Sequence, residues 1–184
     1  MYIIQPNLTI SNRFLNTLEP QGKFTFQTFD DNQSRASKSL VSMLHGTLNS
    51  HAKTLTNLNQ KGAGIFVTVN QTNLNGRKAN DIEKIRAVFL DLDGSPLKPV
   101  LDHHLEPHII VESSPSRWHA YWLCDLPREK FSAVQLGLAY RFNGDTTVHD
   151  LPRVMRLPGF YHLKCSSKKT LEPFQTRIEQ IWSN

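Results

Sequence analysis

The chain has 184 residues, 39% hydrophobic and 20% charged, with a net charge of +5. This fits one globular domain over residues 1–184 with a real core, and excludes a disordered chain. No apolar run is long enough to cross a bilayer, and Met1 to Ile10, which contains Gln5, Pro6 and Asn7 but no basic leader, is not a secretory signal, so the expected compartment is the cytoplasm with no membrane partner.

Two cysteines, Cys124 and Cys165, make neither a disulfide framework nor a zinc site. The positive balance favours polyanionic partners without choosing one. Asn12 to Leu18 is expected to form a short helix, and the phenylalanines at 24, 26 and 29 a strand from Lys23 to Phe29. Leu40, Met43, Leu44, Leu48, Leu55 and Leu58 recur at helical spacings, which predicts a helix over Ser34 to Asn59 that Gly46 could interrupt. Gly64 to Asn70 reads as a strand, and Gln71 to Asn80, with Arg77 and Lys78, as a polar loop.

Ala87 to Leu90 is an apolar run of buried-strand type that ends in Asp91 and Asp93. Because strand side chains alternate, both carboxylates project to one side while Leu92 points to the other, and the pair is spaced to share divalent cations. His108 to Glu112 and Trp118 to Leu123 are expected strands. The intervening Ser113 to Arg117, with Pro115, makes a hairpin turn. That turn gathers Ser113, Arg117 and His119 into a grip suited to phosphate, although a lone histidine in an aromatic strand is ordinarily a core residue. A helix is expected from Pro127, with Phe131, Val134, Leu138 and Phe142 on its buried stripe and Asn143-Gly144 as its stop. Asp145 follows, with Asp150 close behind. Either could be a third carboxylate, since one strand cannot surround two metals. The stretch to Lys164 reads as irregular and carries Arg153 and Arg156 between apolar residues. A last strand or helix falls between Thr170 and Ile181.

Phe-Leu-Asp91-Leu-Asp93, then Glu-Ser-Ser-Pro-Ser-Arg-Trp-His119-Ala-Tyr-Trp, then Gly-Asp145 followed by Arg153-Val-Met-Arg156-Leu-Pro-Gly-Phe and Lys164, resembles the archaeo-eukaryotic primase superfamily, and within it the RepB-like primases of plasmids and prophages. The likeness runs from about Phe24 to Lys164. It implies an α/β (α+β) primase-polymerase core, RRM-like, with a mixed sheet, flanking helices and the acids at the end of a central strand. It also implies a two-metal site of Mg2+ or Mn2+ on Asp91, Asp93 and Asp145. Ser113, Arg117, His119, Arg153, Arg156 and Lys164 are the candidate nucleotide-binding residues. The implied partners are a single-stranded DNA template, nucleoside triphosphates and a replicative helicase. The chain departs from the family pattern in its long Ser-to-His spacing and in having no helical bundle or helicase domain after the core. Two rival readings are a haloacid-dehalogenase-type phosphatase with Asp91 as nucleophile, and a non-catalytic module that binds single-stranded DNA. The phosphatase reading would need the acid motif near the N-terminus of a parallel crossover fold.

Overall fold

The chain opens with a helix that starts earlier than its apolar spacing alone suggests. In the computed structural model, which describes residues 4–164 and 172–182, α1 spans Leu8–Leu18 because the Asn7 side chain accepts from the Ile10 amide and caps it. Ser11, Phe14, Leu15 and Leu18 form its buried face. β1 (Phe24–Asp30) follows, then a single 3-10 turn (Lys38–Leu40) and β2 (Ser42–Gly46). α2 occupies only Leu48–Gln60.

The stretch expected as one helix over Ser34 to Asn59 therefore divides into a 3-10 turn, a strand and a shorter helix. Ser42 to Gly46 pairs antiparallel with β1, Gly46 turns the chain at φ 145°, and Thr47 caps α2 by accepting from the Ser50 amide. The leucine spacing over this stretch fits both periods, and the open edge of β1 selects the strand.

β3 (Ala63–Thr68) lies on the other side of β1. A small hairpin, β4 (Gln71–Thr72) with β5 (Ile82–Lys84), brackets the basic loop. Arg77 in that loop donates to the Pro152 carbonyl at 3.1 Å and is half-buried, so it braces a neighbouring loop. β6 (Ala87–Asp91) carries the acids. A one-turn helix, α3 (Lys98–Leu101), and the hairpin β7 (Ile109–Ser114) and β8 (Arg117–Leu123) come next. α4 (Arg128–Phe142) ends on Asn143 in the left-handed conformation. Its buried stripe is Phe131, Gln135, Ala139 and Phe142, rotated from the expected one, and Val134 is exposed. The tail adds β9 (Val154–Arg156), β10 (Tyr161–His162), β11 (Phe174–Gln175) and β12 (Arg177–Ile181). Cys165 and the expected element's start at Thr170 lie outside the described residues.

The α+β class is as expected, but the sheet is organised differently. Among the described residues the strands form two four-stranded sheets, ordered β2-β1-β3-β9 and β12-β7-β8-β6, with two small ribbons, and every pairing is antiparallel. The acid strand β6 is an edge strand rather than a central one. Its free edge is covered by the buried Gln135 of α4. The Gln135 Oε1 accepts from the Phe89 amide at 2.8 Å, and its Nε2 donates to the Val148 carbonyl at 3.1 Å. This bond explains the rotated stripe: one polar residue of α4 must face the sheet to satisfy the strand. The core beneath β6 and β8 is aromatic, with Tyr121 packed edge-on against Phe14 of α1, and Phe89 between Tyr121 and Phe131.

Gly159 fixes α1 to the tail. A Cβ there would stand 2.3 Å from the Asn7 carbonyl oxygen, its φ is 92°, and its own carbonyl accepts from the Asn7 amide. The buried Ser11 hydroxyl donates to the Pro158 carbonyl at 2.6 Å. The Leu-Pro-Gly of the tail is thus a docking surface for the first helix.

Candidate active site

A cleft of about 880 Å³ opens between the two sheets. One wall is the end of the second sheet, with Asp91, Asp93, Ser113, Arg117 and His119. The opposite wall is Phe66, Val154 and Arg156 from the first sheet, and His162, Lys164 and Phe174 close a third side.

The acid pair is held as the strand period requires. The Leu92 amide donates to the Trp118 carbonyl at 2.9 Å and Leu92 is buried, so pairing with β8 continues past Asp91 and leaves Asp91 and Asp93 toward the cleft. The Asp93 amide donates to Asp91 Oδ1 at 3.1 Å, and the Asp93 carboxylate forms an ion pair with Arg117 at the start of β8.

The strand register sets His119 directly opposite Asp91, with His119 Nε2 3.9 Å from Asp91 Oδ2. Burial pushes the His119 pKa down. Asp91 offsets part of that shift and Arg156 adds to it, so the ring is neutral at neutral pH. The Tyr121 hydroxyl lies 3.3 Å from His119 Nδ1, and burial holds Tyr121 well above its ordinary pKa, in the phenol form. With the phenol donating to Nδ1, the ring proton sits on Nε2, on the side of the cleft.

Arg156 was a candidate, but its setting went unread in the sequence. Asp31, just after β1 and buried, accepts from Arg156 at 2.7 and 3.1 Å and from the Leu163 amide at 2.7 Å. The Arg156 guanidinium also lies 4.7 Å over the Phe66 ring. Asp31 therefore fixes the cation and the segment that leads to Lys164. His162 was missed as well. Its Nδ1 bonds to the Ser113 carbonyl at 3.1 Å, and its Nε2 is buried without a partner among the described residues. Because a carbonyl only accepts, the His162 proton is on Nδ1 and Nε2 is a free acceptor. Burial and then Arg156 lower the His162 pKa from 6.5 to about 4. No periodicity marks Asp31 or His162, because one lies just past β1, the other in a strand of two residues, and their partners are distant in sequence.

Of the candidate residues, Asp91, Asp93, Ser113, Arg117, His119, Arg156 and Lys164 line the cleft, and Asp145 and Arg153 do not. The Asp145 amide donates to the Asp91 carbonyl at 2.8 Å, while its carboxylate accepts from the Thr147 amide at 2.8 Å. Asp145 is thus beside the acid strand with its side chain engaged in a turn. Arg153 is paired with Asp150 and donates to the Thr147 carbonyl at 2.5 Å, which makes it a brace of the loop instead of a cleft cation.

Among the described residues no three His, Cys, Asp or Glu side chains come close enough to enclose a metal by themselves. Two half-open carboxylates beside a neutral imidazole fit a hard cation that takes its remaining ligands from water and substrate phosphates, as Mg2+ commonly does.

The antiparallel pairing of the acid strand is incompatible with the parallel crossover fold of the phosphatase alternative. The α+β core of two facing sheets is a fold shared with solved primase structures. The AEP domain of the cyanophage S-2L primase-polymerase (PrimPol) superposes with a TM-score of 0.73 at 17% identity, covering 96% of this chain and 91% of that one. The primase RepB′ gives 0.67 at 17% identity, covering 95% of this chain and 56% of RepB′. The catalytic domain of RepB′ in complex with initiator DNA gives 0.64 at 14% identity, with 94% and 85% covered. A search of curated proteins finds no match. Residues 44–174 match the RepB DNA-primase N-terminal domain, and the chain belongs to that family. No helix of the described residues is long and apolar enough to cross a membrane.

Proposed function

We propose that this chain is a nucleotidyltransferase that starts or extends primers on a single-stranded DNA template. The observation that carries the reading is the cleft itself. Two carboxylates stand on one wall, and Arg156, Lys164 and the neutral His119 stand around the same space. Such a pocket has the size for one nucleotide and the charge pattern for its triphosphate.

Asp91 and Asp93 would hold Mg2+ or Mn2+, with Asp145 joining them if its carboxylate leaves the Thr147 amide. Two bound cations would supply activation of the primer 3′-hydroxyl and neutralisation of charge on the triphosphate. The chain's own groups do the positioning. Arg156, already oriented by Asp31 and Phe66, and Lys164 take phosphate oxygens, and His119 Nε2–H offers a neutral donor beside Asp91. Arg117 restrains Asp93 until a cation competes for that carboxylate. Ser113 serves through its carbonyl, which fixes the His162 ring. The nearby RepB′ structure is a complex with initiator DNA, which supports a DNA template as partner. The remaining elements of the proposal are action in the cytoplasm, in plasmid- or phage-type replication, with a helicase to open the duplex, and one catalytic domain over residues 1–184.

The test is primer synthesis on single-stranded DNA with labelled nucleotides and Mg2+ or Mn2+. Product should need template, triphosphate and metal together, and Asp91→Ala should abolish it. Release of inorganic phosphate from a small ester, lost in Asp91→Asn, would falsify the proposal in favour of phosphatase chemistry.

A further inference from the structure

The cleft wall made by the first sheet does not stop at the cleft. Antiparallel partners share a face. The register Met43–Gln27–Phe66–Arg156 is therefore one row across β2, β1, β3 and β9, from the sheet's edge to the site. Phe29, two residues beyond Gln27, lies on the same face, and its ring meets Phe66 edge-on at 5.6 Å. Val41, in extended backbone two residues before Met43, continues that face at the edge. Gln27 is buried in the middle, its amide donating to the Ser42 carbonyl, so it offers no charge to the surface.

Phe29, Val41 and Met43 are among the few large apolar side chains that remain open, at 36%, 49% and 44% exposure. Scattered apolar residues need no explanation, but these form one strip that touches the cleft through Phe66 and ends under the Arg156 guanidinium.

We propose that this strip is the track for the template strand, with unpaired bases stacked on Phe29 and on the thioether of Met43 as the strand runs out of the cleft. The proposal rests on the primase reading. Three features select single-stranded nucleic acid as the occupant. The strip is continuous with the cation-lined cleft, it combines a flat aromatic ring with a flexible, polarisable thioether, both of which tolerate any base, and the chain carries a net charge of +5. A second copy of the chain is a poorer fit. Three partly exposed side chains fall far short of the roughly 800 Å² per partner that a specific protein interface buries.

The experiment compares binding of a labelled oligo-dT with binding of an oligonucleotide of the same length made of abasic sites, by fluorescence anisotropy at one salt concentration. Both carry the same backbone charge, so the ratio of affinities isolates the bases. The wild type should prefer the base-bearing strand. Phe29→Ala and Met43→Ser should each reduce that preference by roughly five- to a hundredfold. The rise in melting temperature produced by a nucleoside triphosphate with Mn2+ should be unchanged in both variants. Met43 sits at the exposed edge, so its variant remains informative if Phe29→Ala fails to fold.

An unchanged preference in Met43→Ser and in folded Phe29→Ala would overturn the track while leaving the primase reading intact. A dimer at assay concentration that Met43→Ser converts to monomer would overturn it in favour of self-association. A wild type that binds neither oligonucleotide would overturn both the track and the reading beneath it.

Discussion

His162 offers a residue-level test that activity assays would miss. Its ring is closed in by Arg156, Asp31, Lys164 and the Ser113 carbonyl, and burial is the main cause of its lowered pKa, from 6.5 to about 4. In the unfolded chain the ring takes a proton at the ordinary value, so the stability tied to its neutral form is complete above about pH 6.5. That stability is lost as the pH falls toward 4. His119 is shifted the same way. We expect the melting temperature to fall between pH 7 and pH 5. In His162→Asn, which keeps a donor for the Ser113 carbonyl but cannot titrate, the fall should be smaller though not absent. A wild-type melting temperature flat over this range would show that the ring is solvated. The third acid is also decided one residue at a time. Asp145→Asn should reduce nucleotide incorporation by orders of magnitude, whereas Asp150→Asn, which breaks only the Arg153 brace, should reduce it severalfold at most. The reverse order in a primer-extension assay would move the third carboxylate to Asp150.

At the scale of elements, β6 is fixed at its start and along its edge by side chains from helices, not by a second neighbouring strand. The buried Arg86, just before β6, donates to Glu19 at the end of α1 at 2.6 Å and to the Lys23 carbonyl at 2.8 Å, and lies 4.3 Å over the Phe24 ring. Removing its partner in Glu19→Ala should cost about 3 kcal/mol, low in the range for a broken buried pair because Glu19 is itself partly exposed. Gln135→Leu strips the bond to the Phe89 amide on the β6 edge and the bond to the Val148 carbonyl, and should cost about 1–3 kcal/mol, since the Phe89 amide is left buried and unpaired. Urea unfolding measures both, and a loss under about 0.5 kcal/mol in Gln135→Leu would mean that water or backbone takes over the Phe89 amide. Gly144 belongs to the same unit. A Cβ there would sit 2.5 Å from Leu90 Cδ1 and 2.8 Å from the Asp91 carbonyl oxygen, so Gly144→Ala should displace the acid strand and lower activity more than stability.

On the scale of the whole molecule, the site exists only because two sheets face each other, one bringing acids and the other Arg156 and Phe66. A ligand that bridges the walls should stabilise the molecule by mass action. A nucleoside triphosphate with Mn2+ at about a hundred times its dissociation constant should add about 2.7 kcal/mol, read as a concentration-dependent rise in melting temperature. Asp91→Ala should abolish the rise. If the variant keeps the full shift, the triphosphate is held by cations alone and the acids do not contribute through metal.

The local elements and the acid motif were legible because they depend on short-range chemistry. The apolar run into Asp91 and Asp93, the Pro115 hairpin and the Asn143-Gly144 stop follow from alternation, turn residues and caps, whereas His119, Arg156 and Lys164 were named as candidates through the family resemblance. Family membership was carried by the order of those motifs. What the sequence alone could not decide was anything set by a partner far along the chain. The stretch Ser42 to Gly46 has a spacing compatible with a helix and becomes a strand because β1 has an open edge. Arg153 and Arg156 are near neighbours with the same side chain. Asp150 holds the first to its loop, and Asp31, 125 residues earlier, holds the second in the cleft. Asp31 and His162 carry no pattern of their own, and β6 looks central by its apolar run although it is an edge covered by Gln135. Alternation and capping are written in neighbouring residues. Sheet order, side-chain partners and the walls of the cleft arise only when the two sheets close on each other.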